Sequence, residues 1–326
     1  MQKSQVHSVN VKLVLNHLQI VSELQKLNKS FSFTILTLKM WILLMFLAFT
    51  NPVWGQIGFS AISCRERRPR IVGGLEATRN EMPHIVSLTR RGGHFCGATI
   101  IHEKWVLTAG HCICNGLNRF MKASQIQGVM GLHSISQYLN DVRNKRDGDV
   151  TQPLQVNFKN LIPHPKYQCA LPENDIALLE LMQPLTFSHH IQPSCLIADV
   201  GFDSHENELA TVSGWGWTNE NQYEGERADV LLKASVRIWN NNLCTQSYQL
   251  NGRPNSEILD TQLCAGFENG GVDSCWADSG GPLMSKENYL IGIVSTGLGC
   301  ARPGLPGIYT RVSKYIEWVK SVILNT

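Results

Sequence analysis

Cys275-Trp276-Ala277-Asp278-Ser279-Gly280-Gly281-Pro282 sets a serine between an acid and a pair of glycines. Far upstream stands Thr108-Ala109-Gly110-His111-Cys112, and between the two lies Asn174-Asp175-Ile176-Ala177-Leu178. A histidine, an aspartate and a serine thus follow one another in that order, each inside a distinctive local sequence. Singly, each segment reads as a turn or a tight loop. Jointly they supply the parts of one reaction. A serine hydroxyl is a weak nucleophile at neutral pH and needs an adjacent base. A histidine that titrates near neutrality can take that proton and return it to a leaving amine. A carboxylate on the other ring nitrogen fixes the tautomer and stabilises the imidazolium.

These three segments, in this order and spacing, resemble the trypsin/chymotrypsin family of serine proteases. The resemblance covers residues 71–326 and implies Ser279 as nucleophile, His111 as general base and acid, and Asp175 as its orienter. It places Ser295, in Val294-Ser295-Thr296-Gly297, behind the aspartate, and the backbone N–H groups of Ala277 and Ser279 in the oxyanion hole.

Composition bounds the alternatives. The chain has 326 residues, 43% hydrophobic and 17% charged, which is a globular composition with ample core. Its net charge of +3 misleads. Residues 1–70 carry nine Lys/Arg against two Glu, whereas residues 71–326 carry twenty Lys/Arg against twenty-four Asp/Glu. The basic character belongs to the leading segment, and the remainder has no basic nucleic-acid surface. Ten cysteines point to an oxidising compartment. None stands in a Cys-x-x-Cys zinc pattern, so neither a metal nor another cofactor is expected.

The resemblance implies the bridges Cys96–Cys112, Cys244–Cys264 and Cys275–Cys300. Cys195 matches the cysteine that holds the propeptide in chymotrypsin-like members, and Cys64 is its available partner in the pro-segment. Cys114 and Cys169, on two loops expected to flank the cleft, remain for a fifth bridge.

Three segments follow from the N-terminus: residues 1–55 as an extension with a signal, 56–70 as a pro-segment and 71–326 as the protease domain. Residues 31–54 are apolar, with Lys39 among them. One reading starts translation at Met40, or tolerates the residues before it, uses Trp41–Phe49 as a signal-peptide core and cuts after Gly55. The other makes the stretch a type II signal anchor. A central lysine costs about 2.5–3.5 kcal/mol on the insertion scale. The uninterrupted run is also shorter than the roughly 20 residues a span needs. Secretion is therefore the preferred reading, with a membrane role only if residues 31–54 anchor the chain.

Arg67-Arg68-Pro69-Arg70 then precedes Ile71-Val72-Gly73-Gly74. By resemblance this is an activation junction. A cut after Arg70 creates an α-ammonium on Ile71, which pairs with Asp278. A buried charge is costly alone, so the pair works as a switch.

From Ile85-Val86-Ser87-Leu88 onward the pattern is short and strand-like. It recurs at Ala98–Ile101, Trp105–Leu107, Ala210–Val212 and Leu290–Val294, between Gly-, Pro- or Asn-bearing turns. This is an all-β chain. Val312, Tyr315, Ile316, Val319 and Ile323 instead follow a 3.6-residue period and predict an amphipathic terminal helix. The resemblance implies two six-stranded antiparallel barrels with the triad in the cleft between them.

Asp273 lies six residues before Ser279, where the resemblance implies the base of the pocket for the residue before the scissile bond. A carboxylate there wants a cationic partner. Ser274 adds a hydroxyl, and Gly297 and Gly307 leave room for a long side chain, as in trypsin. The implied activity is hydrolysis after Arg or Lys. The implied partners are protein or peptide substrates, protein protease inhibitors and an activating protease that cuts at a basic site.

Three residues depart from the family pattern. Ala277 replaces a glycine and restricts φ at the oxyanion site. This is the feature that keeps open a catalytically weak or inactive homologue acting as a binding protein. Trp276 replaces a polar residue at the pocket rim. Thr296 replaces a tryptophan that floors the outer subsites, which is expected to weaken apolar selectivity away from the scissile bond. The charged stretch Asn140–Val150 lacks the paired glutamates of the family's calcium loop and reads as a solvated loop.

Overall fold

The computed structural model describes residues 74–325, apart from 116–118, 145–151, 170, 197–204, 219, 222–225, 272 and 276. Cys64, Arg70, Ile71 and Trp276 therefore lie outside the described residues, as does the apolar segment 31–54. No helix among the described residues is long and apolar enough to cross a membrane.

A short edge strand, β1 (Leu75–Glu76), precedes the first barrel. That barrel comprises β2 (Ile85–Arg90), β3 (Gly93–His102), β4 (Trp105–Thr108), β5 (Gln127–Met130), β6 (Leu154–Pro163) and β7 (Ala177–Leu181). It closes in the order β2-β3-β4-β7-β6-β5, with β5 returning to β2. After the two-residue strand β8 (Cys195–Leu196) come β9 (Leu209–Gly214), β10 (Leu232–Trp239), β11 (Gln262–Gly266), β12 (Pro282–Met284), β13 (Tyr289–Thr296) and β14 (Gly307–Arg311). These six form a second closed ring, β9-β10-β11-β14-β13-β12, because β9 pairs with both β10 and β12. All pairings within the two rings are antiparallel. β1 extends the second ring along β10, and β8 lies parallel to β13.

The strand segments legible in the sequence all fall inside this frame: β2, β3, β4, β9 and β13. Closure leaves no ring strand with an open edge. It turns alternate apolar residues into two cores. Val86, Ile100, Leu107 and Leu178 are fully buried in the first, and Val236, Leu283 and Tyr309 in the second. The terminal apolar period is shared between two elements. Val312–Tyr315 form a 3₁₀ turn, and the α-helix runs over Ile316–Leu324. Val312, Tyr315, Ile316 and Val319 pack into the first core, although the segment follows the last strand of the second barrel.

One segment differs from the sequence reading. Ile135–Arg143 is an α-helix, α1, so Asn140–Arg143 form its last turn. The second helix is α2 (Asn241–Leu250), and Ile316–Leu324 is α3. Ser134 caps α1 by accepting from the Gln137 N–H at 3.1 Å. Asp229 fixes that cap, accepting from Ser134 Oγ at 2.8 Å and from the Ser136 N–H at 2.7 Å. Ile135 and Tyr138 pack against the buried cluster around Trp215 and Leu132. The run Ser134-Ile135-Ser136-Gln137 has the S-x-x-Q spacing of a helix start.

Candidate active site

Strand pairing brings the histidine and the aspartate together. Thr108, at the end of β4, is paired with Ala177, at the start of β7. His111 follows Thr108 by three residues, in the 3₁₀ turn Gly110–Ile113, and Asp175 precedes Ala177 by two. The His111 N–H and His111 Nδ1–H both donate to the Asp175 carboxylate, each at 2.8 Å. The second barrel closes over the same acid. Ser295 Oγ, near the end of β13, donates to Asp175 Oδ2 at 2.6 Å, and Thr310 Oγ1, on β14, donates to the Asp175 carbonyl at 2.7 Å. Asp175 is buried, while a third of the His111 side chain remains exposed.

The electrostatics follow from this wiring. Burial works against the imidazolium of His111. The charge of Asp175 and the hydrogen bond to it outweigh burial and raise the histidine pKa. Burial likewise opposes the Asp175 carboxylate, but His111 and the Ser295 hydroxyl hold its pKa below the ordinary value. The ring is thus fixed with Nδ1 protonated, leaving Nε2 free to accept a proton.

Ser279 sits on the loop before β12. Its carbonyl accepts the Gly97 N–H at 2.8 Å, which ties the loop to the first barrel. A cavity of about 520 Å³ is lined by His111, Asp175 and Ser279, and also by Asp273, Ser274, Gly297 and Gly307. The structure therefore brings the triad candidates and the pocket candidates to one cavity. Burial pushes the Asp273 carboxyl up to about 7, despite the Ser274 N–H that donates to it at 2.7 Å. A Cβ at Gly307 would stand 2.8 Å from Asp273 Oδ1, so the close approach requires glycine there. Ser274, which lines the same cavity, sets its Oγ 3.2 Å from Tyr309 Oη.

Asp278 occupies a second cavity of about 590 Å³, which Asp273 and Ser274 also line. Burial pushes its carboxyl up to about 6, although the Cys275 and Gly216 N–H groups donate to it at 2.9 and 2.8 Å. A Cβ at Gly214 or Gly216 would overlap that carboxylate. Gly74, three residues after Ile71, lines the same cavity.

Ala277 adopts φ +73°, in the left-handed region that disfavours a side chain. Its C-terminal side is held from the first barrel. His94 Nε2–H donates to the Ala277 carbonyl at 3.0 Å, while His94 Nδ1 accepts from Ser87 Oγ at 2.8 Å. Burial, reinforced by the charge of Arg227, lowers the His94 pKa to about 4 even though the Ala277 bond opposes it, so this ring is neutral. Among the described residues, no backbone group accepts from the Ala277 or Ser279 N–H. No motif marks His94, whose partner is 183 residues away.

Among the described residues, four disulfides join Cys96–Cys112, Cys114–Cys169, Cys244–Cys264 and Cys275–Cys300. Cys195 is also disulfide-bonded. The donor atoms of Cys96, His111 and Cys112 lie close together, but the two sulfurs are spent on each other and offer no thiolate to a metal.

A histidine held by a buried aspartate between two closed antiparallel barrels, with a serine in the same cavity, defines a chymotrypsin-like serine hydrolase. Comparison with known proteins narrows this. The Trypsin family model matches residues 71–319. Transmembrane protease serine 9 of Rattus norvegicus is 36% identical over 261 residues, which is 78% of this chain and 22% of that protein. Trypsin-1 of Astacus astacus is 36% identical over 258 residues, 77% of this chain and 99% of that protein. The chain belongs to the trypsin family of serine endopeptidases.

Proposed function

We propose that this protein is a secreted zymogen. Cleavage between Arg70 and Ile71 would yield an endopeptidase that cuts protein substrates after Arg or Lys. In this reading Ser279 attacks the scissile carbonyl and His111 Nε2 takes its proton, later passing it to the leaving amine. Asp175 holds the imidazolium, and the Ala277 and Ser279 N–H groups receive the oxyanion. The observation that carries the specificity is Asp273. A carboxyl raised to about 7 in the lining of the Ser279 cavity is an acid short of a cation, and a guanidinium or ammonium supplies one.

The same logic supports activation. Asp278 is a second cation-poor acid, and Gly74 brings the chain to its cavity. The α-ammonium of Ile71 would complete that pair. Cys64 would pair with Cys195 and keep the pro-segment attached after cleavage. Secretion rests on the short, lysine-interrupted apolar segment, whereas a relative bears the name of a transmembrane protease. Protein protease inhibitors would dock on the same cleft, and the activating enzyme would recognise Arg67-Arg68-Pro69-Arg70.

The test is to express the full chain, cut it after Arg70 and profile it on a peptide library. Cleavage after Arg and Lys, abolished by Ser279→Ala, is the expected result. A folded, cleaved protein without activity and without labelling by a serine-directed phosphonate would make it a non-catalytic binding homologue. Activated protein should run as one band without reductant and as two with it.

A further inference from the structure

The chain just after Ile71 is thinly covered. Gly74, Leu75 and Glu76 are exposed, and β1 is only two residues long. The first residues of a domain stay poorly ordered unless they are tied down. Yet this stretch borders the Asp278 cavity, which Gly74 lines together with Leu232, Lys233 and Ala234 of β10.

The tie is an ion pair. Lys233 Nζ donates to Glu81 Oε1, and the two side chains are only 15% and 20% exposed. Lys233 is also the β10 residue paired with Leu75 of β1. The other oxygen of Glu81 accepts from the Thr78 N–H at 2.8 Å and from Thr78 Oγ1 at 3.0 Å. The Glu81 N–H donates back to the Thr78 carbonyl at 3.0 Å, which closes a turn. Just before that turn, the Ala77 N–H donates to the Leu231 carbonyl at 2.8 Å. Burial works against the Glu81 carboxylate, but Lys233 and Thr78 outweigh it and hold its pKa below the ordinary value.

Most surface ion pairs contribute little. The link from His133 Nε2 to Glu76 at 2.8 Å is of that kind, with Glu76 59% exposed. The Lys233–Glu81 pair is largely out of water, so removing one charge strands the other. It is already formed in the uncleaved chain. A chain end held in place beforehand needs less ordering when it binds.

We propose that Lys233 and Glu81 are positioning residues for activation. Their pair holds the segment after Ile71 against β10 and so sets the fraction of cleaved enzyme whose new N-terminus is seated beside Asp278. The inference rests on the proposed activation between Arg70 and Ile71. Neither residue lines the Ser279 cavity, so both act through the seated N-terminus.

The experiment compares wild type with Lys233→Met, Glu81→Gln and Lys233→Arg, each as the full chain cleaved after Arg70. Met keeps the reach of lysine without its charge, and Gln keeps an acceptor for Thr78. Three quantities are read: kcat and KM on an Arg amide, benzamidine affinity, and the rate at which cyanate carbamylates the Ile71 α-amino group. The last is followed on the N-terminal peptide by mass spectrometry. In Lys233→Met and Glu81→Gln, kcat/KM and benzamidine affinity should fall together, by roughly tenfold, because both scale with the competent fraction. Most of the loss should sit in KM, since saturating substrate draws the chain back to the competent state. Cyanate should react with Ile71 several-fold faster, and benzamidine should restore its protection. Lys233→Arg should stay close to wild type, because the charge remains. If Lys233→Met does not fold, Glu81→Gln decides. Unchanged kcat/KM and cyanate rates overturn the inference and leave the activation reading standing. A loss confined to kcat, with Ile71 still protected, marks a merely structural role and overturns it as well. If cleaved wild type gains no activity over the uncleaved chain, the activation reading falls, and this inference with it.

Discussion

The two sides of the cleft treat their buried acids in opposite ways. On the His111 side, Asp175 receives a backbone N–H, an imidazole N–H and a serine hydroxyl, and its pKa is held down. On the pocket side, Asp273 and Asp278 receive only weaker or fewer donors, and burial pushes them up to about 7 and about 6. The first acid has its partner within the fold. The other two sit in cavities open to a partner from outside the described residues. In the proposed function, fixed wiring serves the proton transfers, which need one tautomer, and the two raised acids serve recognition of a cation.

The largest effect tests the fixed side. Asp175→Asn should keep the geometry but impose the wrong His111 tautomer, lowering kcat by about 10⁴-fold. Single-turnover kinetics on the cleaved enzyme would check it. A loss below tenfold would mean that the backbone, and not the carboxylate, sets the ring.

Next comes the open side. Asp273→Ser should lower kcat/KM for Arg amides by roughly 10²–10³-fold, since truncating one partner of a buried charge pair costs about 2–5 kcal/mol. The pH dependence sharpens this. The folded pKa of Asp273 is raised, so its contribution to stability is fully present below the ordinary carboxylate value of 3.8 and is lost as pH rises through about 7. A bound amidinium reverses that loss by pairing with the ionised acid. Benzamidine should therefore raise the melting temperature more at pH 8 than at pH 5.5. Its affinity should fall by up to about tenfold per unit below pH 7, because each unit of unfavourable ionisation costs about 1.4 kcal/mol. Calorimetry on the wild type and Asp273→Ser would reveal the contrast, and a pH-independent affinity in the wild type would place the cation elsewhere.

A smaller effect concerns the bridge between the two sides. Ala277 holds φ +73° with its carbonyl clamped by His94. Relieving a left-handed L-residue is worth about 1–2 kcal/mol. Ala277→Gly should thus raise amide turnover by about fivefold and tighten a Kunitz-type inhibitor, with benzamidine unchanged. Parallel inhibition constants for the two proteins would settle the matter, and equal Kunitz affinities would show that the methyl is accommodated.

The smallest effect lies away from the cleft. Ser134→Ala removes the cap of α1 and should cost about 1 kcal/mol of stability without changing kcat per active site. A denaturant melt would register it.

What the sequence determined by itself was chemical identity and local order. His111, Asp175 and Ser279 stood out as candidates because each sits in a short motif whose residue types suit one reaction, and Asp273 because of its place six residues before Ser279. The strands were legible because alternation is a local property, and the terminal helix because its period is. α1 went unread because its charged last turn resembles a solvated loop, although Ser134 and Gln137 carried a capping signal. Only the tertiary structure decided the rest, because those features join residues that are far apart in the chain. The pairing of Thr108 with Ala177 sets His111 against Asp175. The reach of His94 to the Ala277 carbonyl holds a strained residue whose φ no motif reports. The burial that separates three acids of identical type into one satisfied and two unfilled exists only once both barrels have closed around them.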